Sequence, residues 1–449
     1  YLGGGAVLEA GYAFNRTTYH EQPQGWEPLY YTAAGKRGNW FRDARQSSVR
    51  HQFLVNAFAR TLNWRGSHLV KGGADVSYID YSQGIERNTY YHLRVDGSPI
   101  RKTEFLGPGA LSRTSLMTSY YVQDSWRPRP NLQVEGGLRW DYDRLVRRIN
   151  FAPRLSAAYS PARRPNMKIS GGFGLIYDVP NLQLFVRPLD QIPVVTYFAG
   201  DGSVARGPVA ALFDLVNLGL NSPAFWTYTV GWEQRFASNL SFAMNYLGKR
   251  GLSGLAFIPT FEPNDSSYQL ANQRQDRVDS AEFTVRQTFR RQYAWMASYV
   301  RSSARSNAAV DITVDDPQNI ANNSGPLSWD APHRLLSWGY LPTFWKSWAV
   351  AYLVEYRSGF PFSIVQEDGF LAGPANSRRF PNFLEANIHA ELKVSLFHHR
   401  WALRGGFNNL TGRRNPTVVN PMMGAPQFMT FYGGYGRAAN FRIRWLGHD

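Results

Sequence analysis

Residues 120–142 read YYVQDSWRPRPNLQVEGGLRWDY, and the second half of this stretch alternates strictly between apolar and polar positions. One face carries Leu132, Val134, Gly136, Leu138, Trp140 and Tyr142, and the other carries Gln133, Glu135, Gly137, Arg139 and Asp141. Because successive side chains of a β-strand point to opposite faces, the pattern predicts a strand with one apolar and one charged side. The segment before the turn at 128–131 alternates more loosely, so the two segments together predict an amphipathic hairpin.

The composition extends this pattern to the whole chain. The 449 residues include 15% aromatic residues and 40 glycines, yet the mean hydropathy is −0.38. No apolar run approaches the ~18 residues that a membrane helix needs. Aromatic residues spread over alternating strands are typical of an outer-membrane β-barrel. The open alternative is a large soluble β-sandwich, propeller or solenoid.

The chain contains no cysteine. Disulfides and thiolate metal sites are therefore excluded, which fits a protein that crosses an oxidising periplasm without needing bridges. The sequence opens at Tyr1 without a basic and apolar leader, so we expect either a mature or a truncated chain.

The formal net charge is +16, which raises nucleic acid or an anionic membrane surface as a partner. The basic residues are scattered through strands and connections, without a basic tail or helix, so we expect no nucleic-acid binding. Arginine doublets occur at 163–164, 290–291, 378–379 and 413–414. We interpret them as contacts to lipid headgroups or lipopolysaccharide phosphates, or as part of a cationic lumen.

About sixteen strands are predicted, with the first at residues 5–16, and the connections between them alternate between short and long. Short turns are predicted at 65–67, 128–131, 161–165, 237–239, 290–292, 343–346 and 397–399. A barrel that keeps its turns on the periplasmic side and its loops outside has this arrangement. Closure of the sheet removes exposed edges, and no unpaired backbone can face lipid. The short link near residue 147 is the exception.

Aromatic residues are predicted to form girdles where the strands meet the membrane boundaries. These residues include Trp126, Trp140, Tyr159, Trp226, Trp232, Tyr246, Trp348, Trp401 and Trp445. The alternative is ordinary packing of aromatic side chains across a soluble sheet.

A series of short motifs resembles the C-terminal barrel region of TonB-dependent outer-membrane receptors, especially the Oar-like group. In chain order the motifs are QDSW at 123–126, GGLRWD at 136–141, APRL at 152–155, GGFGLIYD at 171–178, NYLGKRG at 245–251, DAPHR at 330–334, YLP at 340–342, SGFPF at 358–362 and FNNLT at 407–411. Each motif alone is weak, but together they cover most of residues 115–446.

The resemblance implies a TonB box, a plug domain and a barrel of about 22 strands. Neither box nor plug is found in this sequence. We therefore expect residues 1–449 to be a barrel domain that lacks its N-terminal part, or else a complete sixteen-stranded porin-like barrel. The terminal WLGHD at 445–449 also departs from the terminal aromatic residue usual in such barrels.

No pattern for catalysis or metal binding stands out. None of the nine histidines has a metal-ligand spacing such as His-Glu-x-x-His. Asp330, His333 and Arg334 resemble a structural patch that braces a loop against the barrel rim through mutual polar contacts. A catalytic Asp–His pair is the alternative there, but no motif supplies a serine nucleophile.

The run from Asp311 to Asp316 could bind a hard cation such as Ca²⁺, because Asp311, Asp315 and Asp316 lie close together in sequence. An acidic loop without a ligand is the other interpretation, and the one we favour. We therefore predict no metal site and no cofactor.

The lumen is the best place for function, because the polar positions opposite the lipid face carry charges of both signs. The candidate ligand residues are Glu135, Arg139, Asp141, Arg154, Glu233, Arg235, Glu355, Arg357 and Arg404. A ladder of salt bridges that only stiffens the interior is an equal alternative. Long loops at 178–222, 249–275 and 305–331 are where an external ligand would dock first.

These observations predict an integral protein of the outer membrane of a Gram-negative-type bacterium, and not an enzyme. The leading hypothesis is the barrel of a TonB-dependent receptor for nutrient uptake. Its partners would be membrane lipid, lipopolysaccharide, its own plug, the TonB complex and an unidentified small molecule, glycan or peptide. A passive porin or structural barrel is the second hypothesis, and a barrel protease or phospholipase is the third.

Overall fold

One large antiparallel sheet dominates the computed structural model, which describes residues 5–215, 219–237, 239–260, 266–289, 293–318, 320 and 322–448. The sheet has eighteen strands, two of which, Leu62–Asn63 and Gly325–Pro326, are only two residues long. The sixteen long strands are β1 (Val7–Glu21), β2 (Arg42–Phe58), β3 (Ser67–Arg87), β4 (Ala110–Arg129), β5 (Leu132–Asp143), β6 (Arg148–Tyr159), β7 (Met167–Tyr177), β8 (Ala224–Ala237), β9 (Leu240–Leu252), β10 (Asp276–Phe289), β11 (Tyr293–Ser306), β12 (His333–Pro342), β13 (Trp348–Arg357), β14 (Phe383–Leu396), β15 (His399–Asn408) and β16 (Ala438–His448).

Each long strand pairs with the next one in sequence, and every pair is antiparallel. The prediction of about sixteen antiparallel strands is confirmed, and so is the opening hairpin, in which Leu138 faces Val122 across β4 and β5. Within the described ranges β1 pairs only with β2, and β16 pairs only with β15, so these two strands are the edges of the sheet.

The sheet has an apolar face and a polar face, as the alternation predicted. On the apolar face large side chains are widely exposed, for example Ile149 at 61%, Phe151 at 57% and Leu155 at 58% in β6. Their neighbours Asn150, Ala152 and Arg154 lie on the polar face. An apolar face that no other part of the chain covers is what a strand in contact with lipid requires.

Several strands are longer than the sequence pattern predicted. The first strand continues to Glu21, and the third continues to Arg87. At residues 81–86 of β3, Tyr81, Gln83 and Ile85 are buried while the alternate residues are exposed. The polar face is therefore covered by other parts of the chain at this end of the sheet.

The cover is a second sheet of eight strands, built from the long connections. Its strands are Leu29–Thr32, Gly35–Arg37, Tyr90–Leu93, Pro99–Leu106, Ile192–Phe198, Val204–Leu215, Gly254–Thr260 and Ser266–Arg274. We call the described residues of connections 22–41, 88–109, 178–223, 253–275 and 307–332 the loop cap. The sequence predicted these segments only as loops, because two of the pairings are parallel and join connections that are distant in sequence.

The main hydrophobic cluster of the chain lies in the loop cap and not in the large sheet. Its buried members are Val146, Phe185, Ala211, Phe213, Leu255, Phe257, Tyr268, Leu270, Ile312, Val314 and Ile320. Val146 belongs to the short link between β5 and β6, which the sequence marked as the exception among long loops. Through Val146, this short link joins the core of the cap.

The remaining elements are small. They are a helix at Leu182–Val186, a 3₁₀ turn at Arg187–Leu189, and the two-stranded pairs Pro361–Phe362 with Arg378–Arg379 and Val418–Val419 with Phe431–Tyr432. None of the helices in the described ranges is long and apolar enough to cross a membrane.

The two faces predict opposite responses to a new charge on neighbouring residues of β6. Leu155→Arg places a cation on the apolar face and should lower the free energy of unfolding in lipid vesicles by about 2–4 kcal/mol. Ser156→Arg places it on the polar face and should change this free energy by only about 0.5 kcal/mol. Urea unfolding followed by tryptophan fluorescence measures both. Equal losses for the two variants would contradict the assignment of the faces.

Candidate functional site

A cavity of about 460 Å³ lies against β4, β5 and β6. Side chains of the polar face line it: Tyr121, Gln123, Glu135, Arg139, Arg154 and Ser156. The register places Glu135 opposite Ser156 and Gly137 opposite Arg154, so three predicted ligand residues converge here. Gly137 lies in the floor of the cavity, where a Cβ would be only 3.1 Å from the Val122 carbonyl oxygen.

Hydrogen bonds fix part of this cavity and leave part of it free. Arg139 donates from Nε to Asp141 Oδ1 over 2.8 Å, and from Nη2 to Ser119 Oγ over 2.8 Å. Glu135 Oε1 accepts from Gln133 over 2.8 Å. Arg154 has no hydrogen-bond or ion-pair partner in the described part of the chain. The cavity therefore offers one held and one free guanidinium beside a carboxylate, which suits a ligand carrying an anionic group.

The other predicted lumen residues also lie on the polar face, but on distant strands. Glu233 pairs with Lys168 over 3.0 Å, and Glu355 pairs with Arg334 over 3.2 Å. Arg357 lies between two aromatic rings, with its guanidinium carbon 3.9 Å from the Phe360 centroid and 4.6 Å from that of Phe383.

Arg235 and Arg404 complete the predicted set. Arg235 faces Ser241 in register, and Arg404 faces Glu391. The lining of the cavity at Arg154 does not include these two residues, nor Glu233, Glu355 or Arg357.

All nine predicted girdle aromatics lie on the apolar face. Five of them are within three residues of the turn ends of their strands: Trp126, Tyr159, Trp348, Trp401 and Trp445. Trp140 and Trp226 lie nearer the loop ends, and Trp232 and Tyr246 lie between the two rows. Pairing supports their positions, since Phe173 stacks on Trp226 with centroids 4.8 Å apart. Their role at the membrane boundary stays a prediction.

Asp330, His333 and Arg334 do not contact one another as the sequence predicted. Asp330 accepts from Arg379 and, over 2.6 Å, from the backbone N–H of Ala304. It thus ties the connection 358–382 to the end of β11. Successive residues of β12 point to opposite faces of the sheet, so the side chains of His333 and Arg334 lie on opposite sides.

His333 lies on the apolar face. Its Nδ1 lies 2.7 Å from the Tyr299 hydroxyl, and its Nε2 lies 3.2 Å from Nη1 of Arg301. Arg334 lies on the polar face with Glu355. A catalytic Asp330–His333 pair is therefore absent from this described region.

The acidic run 311–316 is neutralised by arginines. Arg187 binds Asp311 over 2.5 Å, and Arg101 binds Asp316 over 2.9 Å. Within the described ranges no group of three or more histidine or acidic side chains could hold a metal ion.

Asp315 is the central anchor of this run. It binds Arg42 of β2 over 2.7 Å and Arg87 of β3 over 2.5 Å, and Arg87 also binds Asp190 over 2.9 Å. Because Arg42 and Arg87 lie on the polar face, these ion pairs fasten two connections of the loop cap to the sheet of strands β1 to β16, which we call the wall. A cavity of about 180 Å³ remains between cap and wall at this point.

Arg101, which the sequence did not single out, is the most deeply buried cation and is 1% exposed. Its Nη2 lies 3.5 Å from His92 Nε2, and its guanidinium stacks on Phe370 at 5.2 Å. Its Nε and Nη1, and Nδ1 of His92, have no hydrogen-bond partner in the described chain. Each such buried group costs about 1–3 kcal/mol, so this part of the cap is held less tightly than its burial suggests.

Burial also shifts the ionisation of this region. Burial, and then the charge of Arg101, hold the pKa of His92 well below its usual value. Burial, with a smaller contribution from Asp316, raises the pKa of Tyr31 to about 12. Both pKa shifts favour the neutral forms of these rings, which stack with centroids 4.5 Å apart.

No signal in a single sequence marks Arg87 or Arg101, because their partners belong to connections that are distant in the chain. The predicted arginine doublet at 290–291 and the turn at 290–292 lie outside the described residues, and the turn at 237–239 and the loops 178–222, 249–275 and 305–331 lie partly outside them.

The wall has the fold of known outer-membrane proteins. A family model described as an outer membrane beta barrel domain matches residues 145–405. No curated protein matches the sequence significantly.

Solved structures with the same fold include the outer membrane transporter YddB of Escherichia coli, with 14% identity and a TM-score of 0.67 over 98% of this chain and 60% of that one. The ferric enterobactin receptor PfeA of Pseudomonas aeruginosa has 14% identity and a TM-score of 0.61 over 98% of this chain and 59% of that one. The pyoverdine receptor FpvA of Pseudomonas aeruginosa has 10% identity and a TM-score of 0.63 over 99% and 59%. The chain thus spans about 60% of the length of YddB and slightly less of the other two.

Removing the carboxylate that anchors the cap should loosen it. Asp315→Asn leaves Arg87, whose side chain is 3% exposed, with one carboxylate fewer. We expect the cap to lose about 3 kcal/mol of local stability. Hydrogen exchange of the amides in residues 307–318 measures this loss. Asp201→Asn is the control, because Asp201 contacts only Ser203 in its own turn. Unchanged exchange in the Asp315 variant would contradict the anchoring role.

The cap should also loosen in acid. His92 has a usual pKa of about 6.5 when the cap is open, and its pKa in the closed cap is lower. The stabilisation is therefore complete above pH about 6.5 and is lost as the pH falls towards the lower, folded-state pKa. Amide exchange in residues 88–109, expressed relative to the intrinsic exchange rate at each pH, should rise between pH 7.5 and pH 5. His92→Gln should abolish most of this rise, and an undiminished rise in that variant would exclude His92 as its cause.

Proposed function

Because the chain belongs to the outer membrane β-barrel domain family, we propose that it forms most of the wall of a receptor that takes up an anionic nutrient. It is an integral outer-membrane protein. The apolar face of the sheet contacts lipid, and the polar face lines the lumen. The observation that carries the proposal is the loop cap, which is fastened over the polar face by ion pairs from Asp315 to Arg42 and Arg87.

A fastened cap supports a receptor more than a passive pore. A pore conducts best when its mouth stays open, whereas a receptor needs an external surface that binds before the ligand moves inward. The cap covers the loop ends of β2 and β3, where Ala44 and Ile85 are 0% and 3% exposed. The cavity at Arg139 and Arg154 then offers a cationic site below the cap.

We propose that the wall is completed by strands outside residues 1–449, and that a plug and a TonB box belong to the same full-length protein. The unpaired edges of β1 and β16 support this, since an open sheet edge in lipid leaves backbone groups without hydrogen bonds. The YddB, PfeA and FpvA chains are also longer than this one. Coupling to TonB would supply the energy that opens the cap or moves the plug.

The ligand class is an anion, and ferric siderophores are the first probes to use. PfeA is a receptor for ferric enterobactin, and FpvA is a receptor for pyoverdine. The free guanidinium of Arg154 and the surplus of 49 Lys and Arg over 33 Asp and Glu favour the same chemistry here. The arrangement holds no nucleophile paired with a base, so we propose binding and transport without catalysis.

Uptake in cells that carry the full-length receptor tests the proposal. We expect ⁵⁵Fe-labelled enterobactin or pyoverdine to accumulate only when TonB is functional. Arg139→Gln with Arg154→Gln should weaken binding about tenfold to hundredfold, because each charged hydrogen bond contributes about 1.5–3 kcal/mol.

The matched control is Arg286→Gln, since Arg286 lies on the polar face of β10 away from this cavity. Accumulation that does not depend on TonB, together with steady conductance in planar bilayers, would instead establish a passive porin.

A further inference from the structure

Three arginines form a row on the apolar face near the loop ends of three adjacent strands. Arg250 of β9 lies directly opposite Arg277 of β10, and Arg277 lies directly opposite Arg305 of β11. Arg301, on the same face of β11, lies four residues nearer the middle of the strand. We call these four residues the arginine row.

The row faces outward and not into the lumen. Side chains of one parity share a face, so Arg301 and Arg305 lie on the same side as Tyr299, which is 36% exposed. The alternate residues Ala304 and Ser306 are buried, at 1% and 3%, because they lie on the polar face beneath the loop cap. The arginines themselves are on the membrane side.

The row is not neutralised by the protein. Asp279 is its single acidic partner among the described residues, and binds Arg250 over 2.8 Å and Arg277 over 3.0 Å. Arg305 has no side-chain partner in the described ranges, and Arg301 contacts only His333 and the Pro332 carbonyl oxygen. Four guanidinium groups share one carboxylate, which leaves three positive charges. Like charges directly opposite one another across strands are destabilising unless an anion lies between them.

Neighbouring side chains orient the row. The Tyr228 ring fills the space above Gly248, where a Cβ would overlap it, and the Arg250 guanidinium lies 5.5 Å from the ring centroid. The Tyr246 hydroxyl donates to Asp279 over 2.7 Å. These contacts hold the guanidinium of Arg250 in place at the strand end, so less side-chain freedom is lost when an anion binds.

Among the described residues, the outward loop ends of β1 to β3 and of β6 to β8 carry no such row. On β6 the corresponding outward residues are Ile149 and Phe151, and on β7 and β8 they are Leu175 and Trp226. The charges at the loop ends of β1 to β3 are mixed, since Asp43 pairs with His20 and Glu86 lies opposite Asp43. The unbalanced positive charge is concentrated on β9 to β11.

We propose that the arginine row is a binding site for the phosphate groups of a phosphorylated glycolipid, the lipopolysaccharide of the outer leaflet. Loop ends of such strands lie at the outer leaflet. Guanidinium groups bind phosphate through paired hydrogen bonds. Below the row, the exposed apolar side chains of Met244, Tyr299 and Leu335 provide a surface for acyl chains. This proposal depends on the family and the orientation of the sheet, and not on the nutrient or on TonB.

The test uses the full-length protein in mild detergent and three probes: phosphorylated lipid A, the same lipid without its phosphates, and inorganic phosphate. Native mass spectrometry counts the bound lipid and gives its affinity. We expect wild type to bind the phosphorylated lipid, and Arg277→Gln with Arg305→Gln to bind it at least tenfold more weakly.

Two further variants make the result specific. Arg16→Gln with Arg45→Gln is the control, because both arginines lie on the apolar face of β1 and β2, away from the row. It should leave binding unchanged. Arg277→Lys with Arg305→Lys keeps the charge and should restore part of the affinity. Heat-dependent mobility in gels, which reports a folded barrel, should be the same for all variants.

Three results would overturn the proposal. Equal binding of the lipid without phosphates would show that phosphate is not recognised. Equal weakening by the control variant would show a general effect of charge. Binding of inorganic phosphate with the affinity of the lipid would make the row a site for the free ion.

Discussion

The requirement that every backbone N–H and C=O be hydrogen-bonded in lipid controls this structure. Hydrocarbon offers no hydrogen-bond partner to an unpaired peptide group. Each strand of the wall must therefore pair with its neighbours over the whole depth of the membrane. Each strand from β1 to β16 is hydrogen-bonded to the next, with register shifts in three pairs, and among the described residues the outer edges of β1 and β16 are left open. The strict alternation in residues 132–142 follows from it, because a strand with lipid on one side and water on the other must change polarity at every residue.

That constraint explains why the wall could be predicted from sequence and the cap could not. Each wall strand carries its own signal, as in the run from Leu132 to Tyr142, and pairs with the next strand along the chain. The cap strands are short and pair across distances that no local pattern records. Leu29–Thr32 pairs in parallel with Tyr90–Leu93, and Val204–Leu215 with Ser266–Arg274.

The candidate site divides in the same way. Parity placed Glu135, Arg139 and Arg154 on one face, and adjacent strands brought them to one cavity. The partners of Arg87, Arg101 and Asp315 lie in other connections, so their ion pairs had no signature in the sequence. Parity also implies the separation of His333 from Arg334, which the motif-based interpretation overlooked, since adjacent strand residues cannot share a face.

The protein distributes its hydrophobic groups unlike a soluble domain. Its buried apolar cluster, which includes Phe213, Phe257 and Leu270, stabilises the connections, while the wall leaves its large apolar side chains exposed. The lipid supplies the burial that a soluble sheet would take from a second layer. The cap can therefore open or change without disturbing what stabilises the wall, a separation that suits a surface whose task is to bind.

The hydrogen bond from Asn420 Nδ2 to the carbonyl oxygen of Ala33, at 2.7 Å, joins connections 387 positions apart. Contacts of such long sequence separation form late, because both segments must first be held near each other. The strands that hold these two connections lie near opposite ends of the chain. The outer surface is thus a product of completed assembly, and a chain arrested with only some strands in place has no finished surface to offer a ligand.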